Sequence, residues 1–306
     1  MKKVKTYFIL FFLLSAITIN AQFAPPAGIE GTTAIHKSDG KIVGWATHCR
    51  VIRGFVNNSD TTITHEGSNR ATCGEVESAL GEADGEIVSL GDGGVAVLSF
   101  SQVISNQEGY DFVVFENSFD GLFLELAHIE VSSDGERFIR IPSISLTQTY
   151  TQIDAFGTIA AEKIYNLAGK YAIDFGTPFD LEDIADSSGI DLQHISYVKI
   201  IDVVGSIHTT HSSLDSQGNP INDPFPTPFF TCGFDLDAVA VLNTSEIGAN
   251  SSFTLAGKPE CNVFPNPAKE KIFIHNQQII NEIQIYNSKG IMVMKRNVKS
   301  FLVKRQ

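Results

Sequence analysis

Apolar residues along this chain fall in short runs separated by Gly, Pro, Asn and Asp, and no run sustains a helical period. Two runs set the pattern. Residues 95–100 (VAVLSF) are apolar on nearly both faces, as a strand buried between two layers would be. Residues 111–116 (DFVVFE) place four apolar residues between two acids, Asp111 and Glu116. Gly91, Asp92, Gly93 and Gly94 punctuate the start of the first run, and 106–109 (NQEG) breaks the chain before the second.

Further strands are predicted over 43–55, which holds the single tryptophan Trp45, and over 124–132 and 137–141 around a turn at 133–136. Residues 197–204 (YVKIIDVV) and 233–242 (GFDLDAVAVL) complete the set. Residues 75–83 and 181–186 read as short helical turns, 176–180 (GTPFD) as a turn, and 208–231 as a long loop rich in Pro and Phe. Short strands recurring between turn signals predict an all-β fold, a jelly-roll-like β-sandwich over residues 23–245. After a Ser/Asn/Gly linker at 246–259, strand-like runs at 269–274, 282–286 and 291–295 predict a small Ig-like β unit over 260–306.

Residues 1–22 change the picture from a globular chain to an exported one. Lys2, Lys3 and Lys5 precede a mostly apolar stretch, and Ile19-Asn20-Ala21 forms a cleavage site, so the segment reads as a secretory signal with Gln22 as the mature N-terminus. Its apolar core is short for a membrane span, and no later run approaches that length, so no transmembrane segment is expected. The formal net charge is −13, and removal of the leader makes the chain more acidic. That balance argues against nucleic acid and anionic membranes as partners. Four cysteines, Cys49, Cys73, Cys232 and Cys261, allow two disulfides in an exported chain. Cys49 with Cys73 is the favoured pair, because the two flank one excursion of the chain.

The acids are the first candidate chemistry. Asp111, Glu116, Asp235 and Asp237 all sit on or beside apolar strands, and a period of two puts Asp235 and Asp237 on one face. Paired carboxylates are what Ca²⁺ requires, so these four are the candidate metal ligands. The alternative is that they bond backbone amides or pair with basic residues. Phe225, Phe229 and Phe230, in a proline-stiffened loop, are the candidate ligand-binding residues, against the alternative that they close the core. No catalytic residue is assigned: the chain has no Gly-x-Ser-x-Gly and no HExxH, and the glycines of LGDGG precede a strand rather than a helix.

Two resemblances add to this reading. Val263-Phe264-Pro265-Asn266-Pro267-Ala268, then Ile272–Ile274 and Ile285-Tyr286-Asn287 with Lys289-Gly290, resemble the type A sorting domain of the type IX secretion system of the Bacteroidetes group. That resemblance implies contact with the type IX machinery and delivery through the periplasm to the cell surface or medium. The larger part is similar to a family of bacterial cell-surface proteins. Its motifs occur here as Ala79-Leu80-Gly81, the LGDGG stretch ending at Gly94, Asp111–Asn117, Glu125–Gly135, Lys199–Gly205 and Gly233–Val239. Together these readings predict a secreted or cell-surface ligand-binding module whose ligand is a glycan or a small cofactor-like molecule. A carbohydrate-active hydrolase and a purely structural or adhesive surface protein are the rivals.

Overall fold

The computed structural model describes residues 23–244 and, near the C-terminus, the backbone of residues 262–264, 273–275, 282–286 and 292–297. The expected leader and linker, and Cys261, lie outside the described residues. Contacts divide the chain into two units, Met1–Ser245 and Glu246–Gln306.

The strands of the first unit are β1 (Ile35–His36), β2 (Gly44–Ile52), β3 (Val88–Ser89), β4 (Val95–Ile104), β5 (Phe112–Glu116), β6 (Ala127–Ser132), β7 (Ile139–Arg140), β8 (Ile144–Ser145), β9 (Ile164–Tyr165), β10 (Phe175–Phe179), β11 (Ile195–Asp202) and β12 (Asp235–Val241). Among the described residues its helical content is three short 3₁₀ turns, at Val76–Ala79, Ala161–Lys163 and Leu181–Ile184. The fold is therefore all-β.

One sheet runs β1-β10-β5-β12-β2-β4-β11-β6-β7, with β3 on the start of β12 and β8-β9 as a separate pair. Every pairing is antiparallel. β2 is the hinge of the sheet. It meets β12 only at Gly44 and Trp45, then pairs β4 as far as Ile52. The sheet curls there, and its two halves face each other. Phe112, Val114, Val239 and Val241 from one half meet Ala96, Leu98, Ile129, Val131, Val198 and Ile200 from the other in a single core. Each fully buried large apolar side chain there contributes about 2 kcal/mol relative to exposure. The opposite faces of β5 and β12 are also covered: Val113, Phe115, Ala238 and Ala240 pack with Trp45. That double burial is why 111–116 carries no polar alternation.

The turn predicted at 133–136 forms between β6 and β7, with the Asp134 carboxylate accepting from the Glu136 and Arg137 amides. The turn predicted at 176–180 is instead strand β10, paired with β5. Pro178 cannot donate to a ladder, but β1 reaches only Phe175 and Gly176, so Pro178 lies on an open edge. Gly176 is required there, since a Cβ would collide with Val113 and the Val114 carbonyl.

In the second unit, β13 (Asn262–Phe264) pairs β14 (Phe273–His275), and β15 (Glu282–Tyr286) pairs β16 (Met292–Asn297). Both pairs are antiparallel.

Candidate functional site

The glycines around residue 92 build the floor under the site. Gly91 and Gly93 have φ of 76° and 70°, and a Cβ on Gly54 or Gly94 would strike the crossing backbone. Two stretches of main chain thus pass in contact, tied by the Phe55–Asp92 bridge. The Asp202 carboxylate, at the end of β11, ties the glycine stretch to the residue before β12 by accepting from the Gly93 amide at 2.8 Å and the Phe234 amide at 2.7 Å. LGDGG is therefore a packing motif, and its aspartate accepts from the Asn58 amide at 2.7 Å.

This crossing sets the start of β12 beside the end of β5, with Leu236 opposite Glu116. Asp235 is placed next to β3, where the Ser89 hydroxyl bonds its carboxylate. Glu116 is 3 % exposed and accepts from the Ser118 amide at 2.9 Å. Glu125 comes from the loop that follows β5. The three carboxylates line one cavity of about 260 Å³. Its rim is aromatic. Phe119 and Phe123 stack at 5.7 Å, Phe156 and Phe229 contact at 5.6 Å, and Phe119 and Phe156 are 79 % and 75 % exposed.

Burial and mutual repulsion make this an acid floor that holds protons. Burial, then Asp235, pushes the Glu116 carboxyl well above its ordinary range. Burial, then Asp235, Glu116, Asp223 and Asp202, does the same to Glu125. Asp235 is pushed up to about 7 by burial, although Ser89 and Arg53 pull it down. Asp223 adds a further buried carboxyl, also pushed well above its ordinary range by burial: one of its oxygens accepts from the Leu126 amide at 2.9 Å, and the other has no partner. Arg53 does not neutralise the set through an ion pair, because its guanidinium donates to the carbonyls of Cys73, Gly74 and Ser89.

The four candidate metal ligands divide. Glu116 and Asp235 meet in the cavity. Asp111 lies at the other end of β5, where it accepts from the Gln107 and Leu181 amides and from Asn243. Asp237 accepts from the Asp84 and Gly85 amides. The expected shared face of Asp235 and Asp237 fails because the ladder slips between Leu236 and Ala238, leaving residue 237 as an extra residue. Among the described residues no three His, Cys, Asp or Glu side chains form a group that could hold a metal ion.

The three phenylalanines divide as well. Phe229 lines the cavity, Phe225 is buried, and Phe230 stacks on His65 at 5.7 Å. Glu125, Phe119, Phe123 and Phe156 were not singled out from the sequence. The acid at the head of ELAHIEV was the available signal for Glu125.

The disulfide expected between Cys49 and Cys73 does not form; both are free, as is Cys232. Cys49 packs against the core under β2, and burial pushes its thiol up to about 12. Cys73 faces the acid cavity instead. Arg53, bonded to Cys73, Gly74 and Ser89, closes the excursion that a disulfide was expected to close.

Residues 262–306 match the family model described as "Secretion system C-terminal sorting domain". This domain indicates export by the type IX secretion system. The sorting domain marks the chain as a secreted or cell-surface protein and implies interaction with the type IX machinery. Its Val263 and Phe264 pair directly with Ile274 and Phe273, so two of the motif's apolar elements form one hairpin ladder. No curated protein matches the chain. No helix among the described residues is long and apolar enough to cross a membrane.

Proposed function

We propose that the first unit is the binding module this export route delivers, and that the acid-floored cavity takes a sugar residue of a glycan or a comparable small polyol. The observation that carries this is the placing of Glu116, Glu125 and Asp235 beneath a rim of Phe119, Phe123, Phe156 and Phe229. A sugar ring offers C–H faces to phenyl groups and hydroxyls to carboxyl oxygens. Carboxyls that hold protons near neutrality both donate and accept, which suits neutral hydroxyls better than it suits ions. A volume of about 260 Å³ is matched to a single ring, with the rest of the ligand outside.

Isothermal titration of the full chain with a panel of neutral mono- and oligosaccharides tests the reading. Binding should weaken about tenfold in Phe156→Ala and in Phe229→Ala, and should vanish in Glu116→Gln. No heat from any sugar overturns it. Release of reducing ends that Glu116→Gln abolishes would establish the hydrolase rival instead.

Calcium at Glu116 and Asp235, the two candidate metal ligands that meet in this cavity, is the second reading; with no third His, Cys, Asp or Glu among the described residues grouped with them, water or hydroxyls would have to complete its shell. A melting temperature that climbs with added calcium in the wild type, and not in Glu116→Gln, would carry it.

A further inference from the structure

A second cavity, of about 460 Å³, opens beside β9 and β10 and is lined by Phe23, Tyr110, Tyr165, Lys170, Asp180 and Asp183 among others. Lys170 is its unusual member. The residue is 4 % exposed, and its main-chain amide is fixed by the Thr177 hydroxyl at 3.2 Å. Gly169 sets this approach. Its φ is 82°, and a Cβ there would strike the Glu125 carbonyl. No ion pair or hydrogen bond reaches the Lys170 amine from the described residues. The ring of Tyr171 lies 5.4 Å from the amine.

The acids in the cavity are occupied elsewhere. Asp183 accepts from Asn166 at 2.6 Å and from the Tyr165 hydroxyl at 3.3 Å. Asp180 caps the short 3₁₀ turn by accepting from the Glu182 amide at 2.9 Å. Two carboxylates in the same cavity repel an anionic ligand, so Lys170 is not placed to capture a phosphate or a carboxylate. An amine at the wall also repels a metal cation. What remains is the amine's own chemistry. Buried without a counter-ion, it has its neutral, nucleophilic form more heavily populated than an exposed lysine does. Burial lowers its pKa to about 8, with Glu162 pulling the other way.

We propose that Lys170 is a reactive amine that condenses with the carbonyl of a small neutral aldehyde, such as an open-chain aldose, held between Phe23, Tyr110 and Tyr165. The Nζ lone pair attacks the carbonyl carbon. The C–N bond forms as the C–O π bond opens to a carbinolamine, and the oxygen then leaves as water with the two amine hydrogens. The product is an imine, and no oxidant or reductant takes part. The phenols of Tyr110 and Tyr165, protonated at neutral pH like any ordinary phenol and shifted further up by partial burial, line the same cavity as proton donors to the departing oxygen.

The test uses the full wild-type chain, glycolaldehyde and cyanoborohydride, which traps the imine as a stable secondary amine. Peptide mapping then gives a rate for each lysine. A pKa near 8 rather than the ordinary 10.4 puts ~200 times more free base at pH 7. Weaker intrinsic nucleophilicity offsets part of that, so Lys170 should be modified at least about tenfold faster than exposed Lys41 or the ion-paired Lys37. Its rate should rise with pH and level off near pH 8. Modification no faster than at Lys41, or a rate that keeps climbing to pH 10, overturns the proposal. Because no substitution is needed, loss of folding cannot imitate either result.

Discussion

Asp235 should make the folded chain less stable as the pH rises, and the size of the effect follows from its surroundings. The side chain is 8 % exposed, and burial holds its pKa at about 7 against an ordinary 3.8. The folded chain therefore holds this proton more tightly than the unfolded chain does. Stability is fully present below pH 3.8 and is lost as the pH climbs through 7. A gap of about three pH units corresponds to at most about 4 kcal/mol, and structural relaxation will reduce it. Asp235→Asn keeps the volume and an oxygen for the Ser89 hydroxyl while removing the charge. It also lightens the repulsion on Glu116 and Glu125. Urea titrations of the two proteins should give equal stabilities near pH 4. By pH 8 the variant should be the more stable by about 2–4 kcal/mol. The difference between the proteins is the quantity to read, because other groups common to both cancel. A difference that does not change with pH, or a variant that is weaker at pH 8, would refute the account of the acid floor. A group that costs stability near neutral pH is retained where a site needs it.

Three further outcomes are expected. Burial pushes the His128 imidazole down to about 4, so the folded chain binds this proton less tightly than the unfolded one, and stability falls as the pH drops from 6.5 through 4; His128→Leu should flatten that limb of a melting-temperature profile. Alkylation under denaturing conditions without reductant should label Cys49, Cys73 and Cys232, and a disulfide-linked Cys49–Cys73 peptide would contradict the packing described. Deletion of residues 262–306 should leave the chain in the periplasm, and cell fractionation that finds it outside would remove the role of the sorting domain.

The sequence by itself determined the strands and their character. Period-two alternation, unbroken apolar runs and Gly/Asp punctuation are local signals, and β4, β5, β6, β11 and β12 lie where those signals put them. The sorting domain was equally legible, since its motif residues are contiguous. Tertiary structure decided the rest, because the deciding contacts join residues far apart in the chain. Glu116, Glu125 and Asp235 share a cavity only because β12 runs beside β5 and the loop after β5 folds back over both. Asp237 was expected beside Asp235, but one bulged residue turned it to the amides of Asp84 and Gly85. The pattern of alternation cannot register such a slip, since residues 238–242 remain apolar or small on either register. Cys49 and Cys73 flank one excursion in sequence, yet one thiol packs under β2 and the other faces the acid cavity. Lys170 is one lysine among several in the chain. Only the tertiary fold leaves its side chain buried beside a cavity, which no local signal in the sequence marks.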